Sequence, residues 1–202
     1  MTEQTNFTDL TDVNEPVTVT SVASKEILSI TTATLFSAAE CEKIKSTAIS
    51  ELWLKTKVIG DQDLHRCERQ KLRGELTGFP FSNIHVITKE ANDKVFDFDL
   101  LGIIDQDYPQ LFRYKEKDYY DLHVDINPLS VTRKLSFIIN LSDPSEYTGG
   151  NIEFLNTSIE KELVTSVGSI VIFPSFLPYK ITPVLSGEKY IIAGHIHGPL
   201  YK

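Results

Sequence analysis

His123 and Asp125 stand two residues apart in the run Tyr119-Tyr120-Asp121-Leu122-His123-Val124-Asp125, which reads as a strand. Strand side chains at i and i+2 point to the same face, so the imidazole and the carboxylate can aim at one point. Together they make two of the three donors in the 2-His-1-carboxylate set that holds non-haem iron. The other histidines are at 65, 85, 195 and 197. His65 and Cys67 also have a two-residue spacing, but no second pair accompanies them, so a separate metal site there is not expected. His85 reads as a surface or boundary residue on a helix, and His197, before Gly198-Pro199, as structural. Each residue of the first pair has an ordinary alternative: a satisfied boundary histidine, and a turn aspartate before Asn127-Pro128.

The elements that must position this pair follow from the patterning. Residues 1–16 are polar and read as a disordered tail, and 17–202 as a single domain. Val17 to Val22 and Glu26 to Thr32 read as strands. Ser37-Ala38-Ala39-Glu40 is a capping box, followed by apolar positions at Cys41, Ile44, Ala48 and Leu52 that mark a helix. Trp53 to Arg73 is polar and irregular, a loop suited to closing over a substrate. Phe81 to Phe98 reads as a second helix, and 99–108 as a connection. From Leu111 onward short strands follow one another: Leu111 to Tyr114, Tyr119 to Asp125, Leu135 to Leu141, Asn151 to Leu155, Ser169 to Phe173, Tyr179 to Val184 and Lys189 to Ile196. Strands at such spacing without intervening helices imply a sandwich or jelly roll. The expected class is therefore α+β, mainly β, with N-terminal supporting helices on a β core at about 111–202.

Composition narrows the function. A net charge of -8 argues against non-specific nucleic-acid binding, which needs a basic footprint. Cys41 and Cys67 form neither a disulfide framework nor a C-x-x-C site, so a reducing compartment is the default. No apolar run approaches a membrane span, and no signal peptide is read, so a cytoplasmic location with no membrane partner is expected.

Several segments resemble the iron- and 2-oxoglutarate-dependent dioxygenases of the prolyl-hydroxylase type. They are Arg133-Lys134-Leu135-Ser136, Asn140 to Tyr147, Gly149-Gly150-Asn151-Ile152-Glu153-Phe154, Phe173-Pro174-Ser175-Phe176-Leu177, Thr182-Pro183-Val184 and Gly187-Glu188-Lys189-Tyr190. Their order and spacing carry the resemblance over roughly Leu111 to the C-terminus. It implies a double-stranded β-helix of jelly-roll or cupin-like form with iron(II) at one open end. His123 and Asp125 match the first two ligands. Lys189, ten positions after Tyr179, matches the cation for the far carboxylate of 2-oxoglutarate. Tyr114 matches a tyrosine that reaches the co-substrate, and Ser136 lies on a strand lining the same cavity. The implied reaction consumes O2 and 2-oxoglutarate, releases CO2 and succinate, and admits ascorbate as an accessory reductant. Its implied substrate is a prolyl or other residue in a protein or peptide.

One position departs from that pattern. Where the resemblance calls for the distal histidine, the sequence has Phe173-Pro174-Ser175-Phe176-Leu177-Pro178-Tyr179-Lys180. Three readings stay open. Tyr179 ligates as a phenolate, which needs its pKa pulled far below about 10. His195 substitutes, lying six residues after Lys189 on the same strand face, where the family usually has a tryptophan. Or the barrel is degenerate and serves as a binding or scaffold module.

Overall fold

The computed structural model describes residues 20–23, 29–56, 64–155 and 164–201. The tail at 1–16 lies outside them. The strands are β1 (Thr20–Ala23) and β2 (Ser29–Thr34), then helix α1 (Ala38–Ser46), β3 (Leu54–Lys55), β4 (His65–Arg66), β5 (Glu68–Lys71) and helix α2 (Phe81–Ala91). The β-rich half follows with β6 (Gln110–Tyr114), β7 (Tyr119–His123), β8 (Arg133–Asn140), β9 (Tyr147–Gly149) and β10 (Ile152–Phe154). It ends with β11 (Ser169–Pro174), β12 (Tyr179–Ile181), β13 (Val184–Gly187) and β14 (Lys189–His197).

A major sheet runs β1-β2-β11-β8-β14-β6-β5-β3, a minor sheet β10-β12-β7-β4, and β13 pairs with β9. Among the described residues these strand pairings are all antiparallel. This is the jelly-roll arrangement expected from the sequence.

The major sheet has two buried faces, which explains why Leu135 to Leu141 is apolar without strict alternation. Leu135, Phe137 and Ile139 join a core with Cys41, Ile44, Phe81, Ile84 and Ile87 of the helices. Ile138, Val171, Phe173 and Ile191 belong instead to a second core, between the sheets, with Phe154, Tyr179 and Ile181 of the minor sheet. The site lies in this second core.

The first helix starts where the capping box places it: Glu40 N donates to Ser37 Oγ at 3.3 Å, and Ser37 N donates to Glu40 Oε2 at 2.8 Å. It stops at Ser46, so Leu52 falls in a 3-10 turn and is 46 % exposed. The second helix is α-helical only to Ala91. A π turn over Asn92–Phe96 follows, closed by Asp97 at φ 53, and Asn92 ties off Phe98 through both its amide groups. The stretch expected as one strand from Tyr179 to Val184 is two, because Pro183 has no N–H to continue the ladder. The largest departure is at Trp53 to Arg73. Its described part is not loop: β3 and β5 extend the major sheet, and β4 extends the minor one.

Candidate functional site

β7 ends at His123, two residues earlier than expected, and Asp125 sits just past it. Convergence survives because another contact holds the chain: the backbone N–H groups of Asp125 and Ile126 both donate to Ser175 O, at 3.0 and 3.1 Å. Tyr179 is the cross-strand partner of His123, with ring centroids 4.3 Å apart. The fold thus brings His123, Asp125 and Tyr179 together.

His123 Nδ1 is 2.7 Å from the Asp121 carbonyl oxygen. A carbonyl only accepts, so Nδ1 carries a proton, and in the neutral tautomer this leaves the lone pair on Nε2. That Nε2 is buried, has no hydrogen-bond partner, and lies 3.4 Å from Asp125 Oδ1. A lone pair facing a carboxylate requires a cation or a proton between them. The Tyr179 hydroxyl donates to the same Oδ1 at 3.4 Å. Burial, with the Asp125 charge beside it, pushes the Tyr179 phenol well above its ordinary value, so it holds its proton. Imidazole nitrogen and carboxylate are two donors of the kind that hold iron(II), and the protonated phenol stands beside them as a hydrogen-bond donor.

The other oxygen of Asp125 is held by the protein. Ser136 Oγ donates to Oδ2 at 2.6 Å and contacts Ser175 Oγ at 3.0 Å. His195 Nε2 lies 3.5 Å from Oδ2, and its Nδ1 lies 3.0 Å from Asp107 Oδ2, off the line of a good hydrogen bond. Burial opposes charge on His195, but the two carboxylates outweigh it and raise its pKa. Asp107 also takes Arg133 Nε at 2.6 Å, Arg133 Nη2 at 2.8 Å and His197 Nε2 at 3.0 Å. Burial opposes charge on Asp107 and Asp125 too, yet their imidazole neighbours hold both carboxyls well below the usual range. His123 and His195 therefore address opposite oxygens of Asp125. Among the described residues, no three His, Cys, Asp or Glu side chains converge on one point.

A cavity of about 150 Å³ opens beside Asp125 and Tyr179 and is lined by Tyr114, Tyr120, Ile191 and His195 among others. Lys189 is fully buried and not in that lining. Its ammonium donates to Gly150 O at 2.7 Å and lies 5.3 Å from the Tyr147 ring centroid. Ser136 is not in the lining either, since its hydroxyl serves Asp125. Tyr114 is the register partner of Lys189, and its hydroxyl meets His65 Nε2 at 3.0 Å.

His65 is the residue that sequence reasoning missed. Its ring stacks on Tyr120 at 3.7 Å, and Tyr120 stacks on His123 at 3.4 Å. Burial lowers its pKa to about 3, helped by His123 and Arg69, so it is neutral and shares one hydrogen bond with the Tyr114 hydroxyl. Cys67 Sγ lies 3.0 Å from the same nitrogen, and burial pushes that thiol up to about 12, so the pair does not form a reactive thiolate. The period-two placing of Cys67, Arg69 and Lys71 was the available signal, masked by the polarity of the run.

Comparison with known proteins shows what the chain is similar to. Residues 109–197 match the 2OG-Fe(II) oxygenase superfamily. The chain is 35 % identical over 91 residues to a PKHD-type hydroxylase of Hyphomonas neptunium, covering 42 % of this chain and 40 % of that protein. It is 42 % identical over 81 residues to a PKHD-type hydroxylase of Synechococcus sp. CC9605, covering 38 % and 36 %. The chain spans about 40 % of the length of the first of these curated relatives. Among solved structures, the Pseudomonas putida prolyl-4-hydroxylase superposes with a TM-score of 0.63 at 15 % identity, covering 84 % of this chain and 92 % of that one. A Trichoplax adhaerens prolyl hydroxylase, solved with a hypoxia-inducible-factor peptide fragment, gives 0.66 at 13 % identity, covering 83 % of each chain. In fold, and in the sequence of its β-helix, the chain is similar to 2OG-Fe(II) oxygenases of the prolyl-hydroxylase type. The resemblance drawn from its motifs is borne out.

Proposed function

We propose that the protein is an iron(II)- and 2-oxoglutarate-dependent oxygenase that hydroxylates a prolyl or other residue of a protein or peptide. The observation that carries this reading is the buried His123 Nε2, without a hydrogen-bond partner and 3.4 Å from Asp125 Oδ1. We assign His123 and Asp125 as the metal ligands. Held there with 2-oxoglutarate and O2, iron would supply the oxidising power to put one oxygen atom of O2 into a substrate C–H bond, the other going into succinate as 2-oxoglutarate loses CO2.

The chain's own residues do the positioning. Ser136 and His195 hold Asp125 Oδ2, leaving Oδ1 facing His123 and Tyr179. Because His195 already lies between two carboxylates, we place it outside the ligand set. Tyr179 is the nearest further donor, and it ligates only once its phenol proton is lost. Lys189, a buried cation paired in register with Tyr114, is assigned to the far carboxylate of 2-oxoglutarate. The aromatic stack of His65 and Tyr120 fixes the ring plane of His123.

Anaerobic addition of iron(II) and 2-oxoglutarate should give a metal-to-ligand charge-transfer band, and admitting O2 with substrate should yield succinate. Absence of both band and succinate would refute the reading and return the barrel to a binding role. After oxidation to iron(III), a phenolate absorption that Tyr179→Phe removes identifies Tyr179 as a ligand. If the band survives in that variant and no phenolate absorption was present, it is a hydrogen-bond donor only.

A further inference from the structure

The edge of the major sheet presents an unassigned basic strip to the cavity. Antiparallel register sets three strands in rows: Ile191 opposes Phe112, which opposes Arg69, and Ala193 opposes Gln110, which opposes Lys71. Directly opposed residues share a face. Ile191, Ala193, Phe112 and Gln110 all line the cavity, and so does Arg69. The alternate residues of β5 face the other way: Gln70 is buried and accepts from Ile49 N, while Glu68 pairs with Arg113. Arg69 and Lys71 thus stand on the cavity side, and Lys71 Nζ lies 4.0 Å from the ring centroid of Tyr108, another lining residue.

Among the described residues, neither Arg69 nor Lys71 has a carboxylate within ion-pair distance, although the chain carries a net charge of -8. The other permanent cation of the lining, Arg133, is fixed on Asp107 and on Asp125 O. Lys189 is turned to Gly150. A guanidinium in the row of Phe112, with an ammonium over the Tyr108 ring two residues on and the Gln110 amide in that ammonium's row, suits a carboxylate on a short apolar stem.

We infer that Arg69 and Lys71 form a carboxylate-binding subsite that selects a peptide substrate with an acidic side chain next to the residue that enters the cavity. This rests on the peptide-oxygenase reading above.

The test uses the full chain loaded with manganese(II) and 2-oxoglutarate. Two fluorescent hexapeptides serve as probes, Ala-Ala-Pro-Glu-Ala-Ala and its Gln twin, with a second pair in which the acidic residue precedes proline. Binding is read by anisotropy. In at least one pair the Glu peptide should bind about tenfold more tightly than its twin, and Arg69→Gln with Lys71→Gln should abolish the difference. Equal binding of the twins, no binding of any peptide, or a preference that persists in the double variant overturns the subsite. Circular dichroism checks that the variants fold. The charge-transfer band, measured separately with iron(II), keeps the two readings apart. Loss of that band in the double variant, with the Glu preference intact, would reassign the strip to 2-oxoglutarate. Absence of the band in the unaltered protein, with the preference present, would sink the oxygenase reading and leave the acidic-peptide site standing.

Discussion

Asp107→Asn should both destabilise the protein and loosen its metal site. The Asp107 carboxylate takes two bonds from Arg133 and lies 3.0 Å from a nitrogen of each of His195 and His197. An amide in its place accepts at one oxygen only and turns an N–H toward another donor. Removing one partner of a fully buried pair costs about 3–5 kcal/mol. Here the side chains are 23 % and 18 % exposed, so solvent recovers part of this, leaving about 2–3 kcal/mol. For a chain of this length that corresponds to about 4–12 °C in Tm. The pH profile adds a check. The Asp107 pKa is depressed by folding, so its contribution is present above its unfolded value and lost as pH falls toward the folded one. The His195 pKa is raised, so its share is complete below its unfolded value and lost as pH rises through the folded one. The difference between the two proteins should therefore be greatest from about pH 4 to about pH 6.5 and decline on either side. Urea denaturation across that range measures it, and manganese(II) titration should show affinity weakened about 10- to 100-fold. Asp105→Asn, in the same 3-10 turn, is the control. A loss under about 1 kcal/mol, or metal affinity unchanged, would refute the coupling of Asp107 to Asp125 through His195.

His65→Gln should flatten the acid side of the stability profile. The folded value of His65 is lowered to about 3, so the unfolded chain binds the extra proton as pH falls from about 6.5, and between 6.5 and 5 the unaltered protein should lose up to about 2 kcal/mol by urea melts. Lys189→Met should leave stability within about 1 kcal/mol or improve it, since a buried cation is replaced by an apolar isostere, yet abolish 2-oxoglutarate binding in the charge-transfer titration. Gly168→Ala should cost about 3–5 kcal/mol in denaturant melts, because φ is +74° and the added Cβ would lie 1.7 Å from Phe36 O.

Local rules made some of this fold legible and hid other parts. The capping box at Ser37 fixed the first helix start, because both of its hydrogen bonds lie within one turn. Its end was overrun: Ala48 and Leu52 keep the helical period, but the α-helix stops at Ser46 with Thr47 as its cap. The jelly roll was readable from Leu111 onward, where runs such as Ser169 to Phe173 are buried on both faces. β5 was not, since Glu68-Arg69-Gln70-Lys71 has no apolar residue and is a strand only because β6 offers it an unpaired edge. At the site, His123, Asp125 and Tyr179 were found by motif register, and they meet. The role of His195 was hidden because Asp107, its second partner, comes from a distant turn with no motif of its own. Ser136 was placed on the right strand, but only the structure assigns its hydroxyl to Asp125.

The stretch from Leu54 to Lys71 supplies an outer strand to both sheets. Its two seams are unequal: β5 has four register pairs with β6, while β4 has two with β7, at His65↔Tyr120 and Arg66↔Tyr119. Widening the mouth therefore proceeds in discrete steps, and the shorter seam parts first. Parting it would carry His65 away with its strand and leave the Tyr114 hydroxyl, which also has Cys67 beside it, without its imidazole partner. The width of the entrance and the hydrogen bonding of Tyr114 are thereby linked through one short strand.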